Sequence, residues 1–268
     1  MKVARSEVFV THTLLVIAAV IAVFPFVSIA LSSLQGSGAG NGVTLANYAE
    51  AWTRGGFGSA LASSAFVTIT VVAVTVAVAC LAGYAMAHMR VPGGRLMLGL
   101  MLLGLVLPYE VTVLPLYQML AGWNLIDTYA ALILPQIGLS VPLGVFWMRA
   151  FFASVPGELI EAARIDGATN FTVFLKVLLP IAAPAIATLV TILFLFTWNE
   201  FLLALILVPQ NEAVQTAPLA LSFFSGASRS ANPNITAAAA VLVALPIVIA
   251  YVLLQRRLIT GLTEGAVK

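Results

Sequence analysis

Uninterrupted apolar stretches, each long enough to cross a bilayer, recur along the whole of this chain, and no other feature constrains its fold as strongly. A helix needs about 20 predominantly apolar residues to span the hydrocarbon core. Such segments run over approximately 8–34, 59–89, 95–120, 128–152, 181–208 and 236–259. The connections between them are too short for a separate soluble domain, so residues 1–268 read as a single transmembrane domain. Apolar residues make up 62% of the chain and charged residues 8%, against about half and about a quarter in a soluble protein. A water-soluble fold could not bury that much apolar surface. In hydrocarbon every backbone polar group must be satisfied internally, and the segments lack the roughly ten-residue alternation of barrel strands, so the spans are expected to be helices. The expectation is an all-α integral membrane protein with six transmembrane helices.

Basic residues concentrate in cytoplasmic connections. With the N-terminus inside, Lys2, Arg5, Arg90, Arg95, Arg149, Arg164, Lys176, Arg256, Arg257 and Lys268 are cytoplasmic, and only Arg54 and Arg229 lie outside. Ten against two places both termini in the cytoplasm and leaves 35–58, 121–127 and 209–235 as outer connections. Lys2 and Arg5 before an apolar run, with Ser28 and Ala30 at its end, have the outline of a signal peptide. The run exceeds the roughly 7–15 residues of a signal core, so it is read as the first span. Basic residues occur singly or in pairs, which argues against a nucleic-acid surface. Cys80, the single cysteine, lies in an apolar stretch with no partner for an internal disulfide, and buried packing is its expected role.

The longest cytoplasmic connection reads SVPGELIEAARIDGATNFTVFLKVLLP from Ser154 to Pro180. It has the signals of two short helices with a break. Ser154 is a candidate cap, Pro156 suits a first turn, and Glu158 and Glu161 favour the positive N-terminal end. Gly167 suits the left-handed residue that ends a helix, and Thr169 can start the next. There Phe171, Phe174, Leu175 and Leu178 fall at i, i+3, i+4 and i+7, with Lys176 off that face. Periodicity alone leaves the lipid surface and a protein partner equally open as its cover.

Ionisable residues at membrane depth are costly and mark a pathway or a buried polar contact. Glu110, between Pro108 and Pro115, and Glu200, beside Trp198 and Asn199, stand out. Trp198 offers an aromatic face for the apolar ring hydrogens of a solute, and Asn199 and Glu200 offer partners for hydroxyls. The alternative is a polar clamp between packed spans. Gln118 and Gln136 have the same two candidate roles. Ala79, Gly83 and Ala87 form a small-residue ridge at every fourth position, the pattern of close helix packing. His12, His88 and Cys80 form no ligand cluster, so no metal site is expected, and the chain has no GxxxxGK[ST] phosphate loop.

Glu161-Ala162-Ala163, followed by Gly167 and then Val177, Leu179 and Pro180, resembles the EAA motif of ABC importer permeases, with Val177 where the family pattern has isoleucine. Asp166-Gly167-Ala168, Trp198-Asn199-Glu200-Phe201, Asn47-Tyr48 and the ending from Gly261 to Lys268 are similar to the carbohydrate-uptake branch, of maltose-transporter type. The resemblance covers the whole chain. It implies a type I ABC importer permease fold in the bacterial inner membrane and uptake of a sugar or sugar-like solute, of oligosaccharide or glycerol-phosphate type. The implied partners are a second permease, two ATPase subunits that bind ATP and Mg, an extracytoplasmic solute-binding protein, and membrane lipid. This chain would then carry no cofactor and no catalysis. By the same resemblance the segment of about 154–180 is the ATPase-coupling loop, with Glu161, Ala162, Ala163, Asp166, Gly167 and Phe171 as its contact residues. The outer connection 209–235, with Phe223, Phe224, Ser225 and Arg229, is expected to meet the solute-binding protein. The rival class is an ion-gradient-driven secondary transporter using Glu110 and Glu200 as ion sites.

Overall fold

The computed structural model describes the backbone of residues 5–36, 42–227 and 232–266, and side chains over 7–36, 42–226 and 232–253. Among these residues the regular structure is helical, apart from an isolated bridge between Gln35 and Val43. Four helices contain stretches long and apolar enough to cross a membrane unaided: α1 (Arg5–Ser33), α3 (Phe57–His88), α6 (Tyr129–Ser154) and α13 (Pro233–Ala266). Two bent pairs bring the number to six when each is counted as one span. They are α4 (Gly94–Val106) with α5 (Tyr109–Gly122), bent by 101°, and Asn170–Ile181 with α10 (Ala183–Trp198), bent by 74°.

The segment expected at 95–120 is therefore a broken helix, and the one expected at 181–208 is interrupted too, not by the bend at Ala182 but at Asn199–Phe201. At the first break Pro108 has no N–H to donate and disfavours helical backbone in the preceding residue. Leu107 is accordingly extended, at φ −69° and ψ 129°. At the second, α10 stops at Trp198, and α11 (Leu202–Leu207) begins after Asn199–Phe201. Polar side chains take over backbone bonding there. Asn199 Nδ2 donates to the Leu195 carbonyl at 2.7 Å, and Glu200 Oε1 accepts the Leu203 N–H at 2.9 Å. A break in an apolar setting survives only where its freed backbone groups find such partners.

The described residues of Met1–Gly58 and Ala220–Leu245 form one compact unit, and those of Ser59–Leu219 and Pro246–Lys268 form another. In the first, Asn47 Nδ2 donates to the carbonyls of Ser33 and Gln35 at 2.9 and 2.8 Å, and the hydroxyls of Ser33 and Tyr48 meet at 2.6 Å. The Asn47-Tyr48 pair thus ties α2 (Ala46–Arg54) to the end of α1. The connection 209–235, expected to lie outside, contains a helix, α12 (Ala217–Ala227).

In the second unit α3 and α6 approach almost backbone to backbone. A β-carbon on Gly83 would lie 2.8 Å from both the Arg149 nitrogen and Met148 Cβ, and one on Gly144 would lie 2.9 Å from Ala79 Cβ. The ridge of Ala79, Gly83 and Ala87 is therefore a packing seam. Tyr84, Met148, Phe152, Phe174, Leu178 and Leu189 form the core around it, which also encloses Cys80.

Candidate coupling segment and membrane cavity

The segment after α6 folds as two helical pieces. Ser154 belongs to the last turn of α6, where its Oγ donates to the Phe151 carbonyl at 2.7 Å, so it does not cap the next helix. The reason is again proline: Val155, before Pro156, is extended at ψ 131°. The next helix, α7 (Gly157–Ile165), therefore starts one residue past Pro156, with Glu158 in its first turn. Its end is a Schellman turn, in which Ala168 N–H donates to the Ala163 carbonyl and Gly167 N–H to the Arg164 carbonyl, both at 3.0 Å. Gly167 takes φ +81°, the left-handed conformation that favours glycine. Thr169 then caps α8 (Asn170–Val173), accepting the Thr172 N–H at 3.3 Å.

Only part of the expected apolar face of this second piece packs inward. Val173, Phe174 and Leu178 are buried, whereas Phe171 is 64% exposed and Leu175 is exposed. A π turn over Phe174–Leu178 separates α8 from α9 (Leu179–Ile181). Its i→i+5 bonding takes an extra residue into the turn, so a face counted at 3.6 residues per turn slips. On α7, Ile160 is buried while Glu161 and Ala162 are exposed and Ala163 is half-buried. Leu159 and Ile165 stand exposed as well. Apolar side chains left bare next to Glu161 and Asp166 are a feature that the motif did not announce.

The segment is tied to two spans. Tyr84 Oη of α3 donates to the Asn170 carbonyl at 3.0 Å, and His88 Nε2 hydrogen-bonds the Phe152 carbonyl at 3.0 Å. The Tyr84 ring sits 5.2 Å from that of Phe174 and 6.1 Å from that of Phe152. Arg164 Nη2 donates to Asn170 Oδ1 at 3.1 Å, bridging the two helical pieces.

Both helix breaks open onto one cavity of about 770 Å³. Leu107, Pro108 and Tyr109 border it from the first break, and Asn199 and Glu200 from the second. Glu110, Thr197 and, from α6, Gln136 and Ser140 add to its polar lining. Gln136 is only 6% exposed. Trp198 is not in the lining: it is buried and stacked on Phe194 at 5.6 Å. The aromatic surface comes instead from Phe196 and Tyr109. Gln118 is exposed and outside the lining. Among the described residues no His, Cys, Asp and Glu cluster could hold a metal ion.

Of the residues expected to meet a binding protein, Phe223 and Ser225 are exposed, while Phe224 packs edge-on against Phe57 at 5.6 Å. Arg229 lies outside the described residues, as do Lys2 and Lys268 and the side chains of Arg256 and Arg257.

Residues 76–263, which include both the segment after α6 and the cavity, match the family described as the binding-protein-dependent transport system inner membrane component. The chain belongs to this family. The permease is 37% identical over 227 residues to the trehalose transport system permease protein SugB of Mycobacterium tuberculosis, covering 84% of this chain and 82% of the relative. It is 34% identical over 262 residues to the arabinooligosaccharides transport system permease protein AraQ of Halalkalibacterium halodurans, covering 93% and 92%. The melibiose/raffinose/stachyose import permease protein MelC of Bacillus subtilis matches at 30% over 277 residues and the full length of both chains. Among solved structures, a bacterial ABC transporter involved in the import of the acidic polysaccharide alginate superposes with a TM-score of 0.76 at 22% identity, over 96% of this chain and 99% of that one. That likeness is one of fold, an importer permease fold. The permease is thus a multi-pass translocation component of the inner membrane.

Proposed function

We propose that the permease is one membrane subunit of an ATP-driven importer for a sugar or sugar-like solute, of oligosaccharide or glycerol-phosphate type, delivered by an extracytoplasmic solute-binding protein. A second permease completes the pathway, and two ATPase subunits bind ATP and Mg and carry the hydrolysis. This chain is non-catalytic, and both of its termini are cytoplasmic. The observation that carries the proposal is the meeting of two helix breaks at a cavity lined by Gln136, Ser140, Asn199 and Glu200. Discontinuous helices supply polar backbone and side-chain groups where a membrane protein handles a polar solute. Gln136, Ser140, Asn199 and Glu200 bind hydroxyls, and Phe196 and Tyr109 cover ring faces. The names of SugB, AraQ and MelC, all sugar permeases, support that substrate class.

Coupling is mechanical. The exposed surface of Glu161, Ala162, Ile165 and Phe171 docks on an ATPase subunit, with Ala163, Asp166 and Gly167 holding its shape. Movement of that surface passes through Tyr84, Phe152 and Phe174 into α3 and α6. Helix α6 carries both Phe152 and Gln136, about 24 Å apart at 1.5 Å per residue, so a rigid shift at one end reaches the cavity wall at the other. Phe223, Ser225 and Arg229 face the solute-binding protein.

Uptake of labelled oligosaccharide by proteoliposomes of the assembled complex tests the site. Gln136→Ala and Asn199→Ala should each raise KM or lower the rate with assembly intact. Unchanged affinity and rate in both variants would remove the cavity from the pathway.

A further inference from the structure

Three arginines converge where α3 gives way to α4. Arg90, Arg95 and Arg149 line a cavity of about 590 Å³ together with Met86, Met89 and Leu98. Among the described residues none of the three is in an ion pair; the pair found there is Arg54 with Glu50. Arg149 Nε is buried and has no hydrogen-bond acceptor. A guanidinium N–H withdrawn from water without an acceptor is destabilising, and three like charges around one space repel. The fold holds Arg149 there regardless, because the close approach of α3 at Gly83 fixes the α6 backbone at this residue. Concentration of basic residues on the cytoplasmic side accounts for the side of the membrane on which they lie. It does not account for their convergence on one cavity, which calls for an anion.

The walls say which anion. Met86, Met89 and Leu98 make part of the cavity apolar, and Leu96, Met97 and Leu100 continue as exposed apolar surface along α4. Free phosphate gains nothing from such walls. A phospholipid places its phosphate at the edge of the hydrocarbon and its acyl chains alongside, and the cavity lies where one span ends and the next begins. Basic pockets between transmembrane helices suit anionic headgroups. We propose that Arg90, Arg95 and Arg149 bind the phosphate of an anionic phospholipid, with its acyl chains against α4. The proposal depends on membrane residence and not on the cargo.

The assembled importer, stripped of lipid in detergent, is offered phosphatidylglycerol or phosphatidylcholine with matched chains, and bound lipid is counted by native mass spectrometry. The wild-type complex should retain phosphatidylglycerol selectively. Arg95→Gln alters an exposed side chain and should weaken retention about fivefold, and Gln at all three positions should weaken it about a hundredfold. Equal retention of the two lipids, or unchanged retention in the triple variant, would overturn the proposal. Displacement of phosphatidylglycerol by millimolar inorganic phosphate would assign the site to the free anion and overturn it too. So would release of the ATPase subunits by the triple variant with lipid retention intact, since the arginines would then serve a protein contact.

Discussion

Replacing Gly167 with alanine puts a β-carbon on a residue at φ +81° in the turn that closes α7. No atom lies within 4 Å of that β-carbon, so the penalty is conformational and not steric. A side chain in the left-handed region costs roughly 1–2 kcal/mol. That is about a 5- to 30-fold shift against the intact turn. Gly157 provides a matched control. It too is exposed with nothing within 4 Å of a β-carbon, but its φ is outside the left-handed region, and it occupies the first position of α7, where alanine is the better helix former. ATPase pull-down and solute-stimulated hydrolysis by the purified complex should therefore fall about fivefold or more for Gly167→Ala and stay near wild type for Gly157→Ala. Wild-type values for both variants would refute the assignment of coupling to this turn. Equal losses in both would refute the conformational reasoning.

Three further outcomes follow from the packing. Glu200→Ala removes the acceptor of the Leu203 N–H and should destabilise the start of α11 by about 1 kcal/mol, lowering the thermal unfolding midpoint of the complex, whereas Glu200→Gln keeps an acceptor and should lower it less. Gly83→Val forces side-chain atoms into the Arg149 backbone and should cost about 1–3 kcal/mol or more; Gly99→Val, with open space around it, should be tolerated in the same melting assay. A membrane-impermeant maleimide added outside intact cells should label Arg54→Cys but not Asp166→Cys, with buried Cys80 silent; the reverse pattern would invert the orientation.

The spans were legible in the sequence because crossing hydrocarbon demands long apolar runs, and the coupling turn because Gly167 and Thr169 are residue types with specific backbone uses. The features that escaped have physical reasons. Pro108 announced a kink, but the angle between α4 and α5 depends on packing that no local sequence encodes. Asn199 and Glu200 invited a reading as solute ligands and turn out also to hold a broken helix together through Leu195 and Leu203. Trp198 and Phe196 are two positions apart on one helix, and only the rotation of α10 in the bundle decides that Phe196 reaches the cavity. The π turn at Phe174–Leu178 shifts the face that follows it, and Phe171, whose ring lies 6.5 Å from that of Phe174, is still 64% exposed. Arg90, Arg95 and Arg149 are unremarkable until the seam between α3 and α6 brings them around one space.

Solute uptake by proteoliposomes tests the central claim most directly. The assembled complex is reconstituted with ATP on the face carrying α7 and the solute-binding protein on the other, using the labelled sugar that this binding protein retains. Accumulation should require both ATP and the binding protein and should survive collapse of the proton and sodium gradients. Uptake driven by an ion gradient without ATP would contradict the claim and make Glu110 and Glu200 ion sites of a secondary transporter.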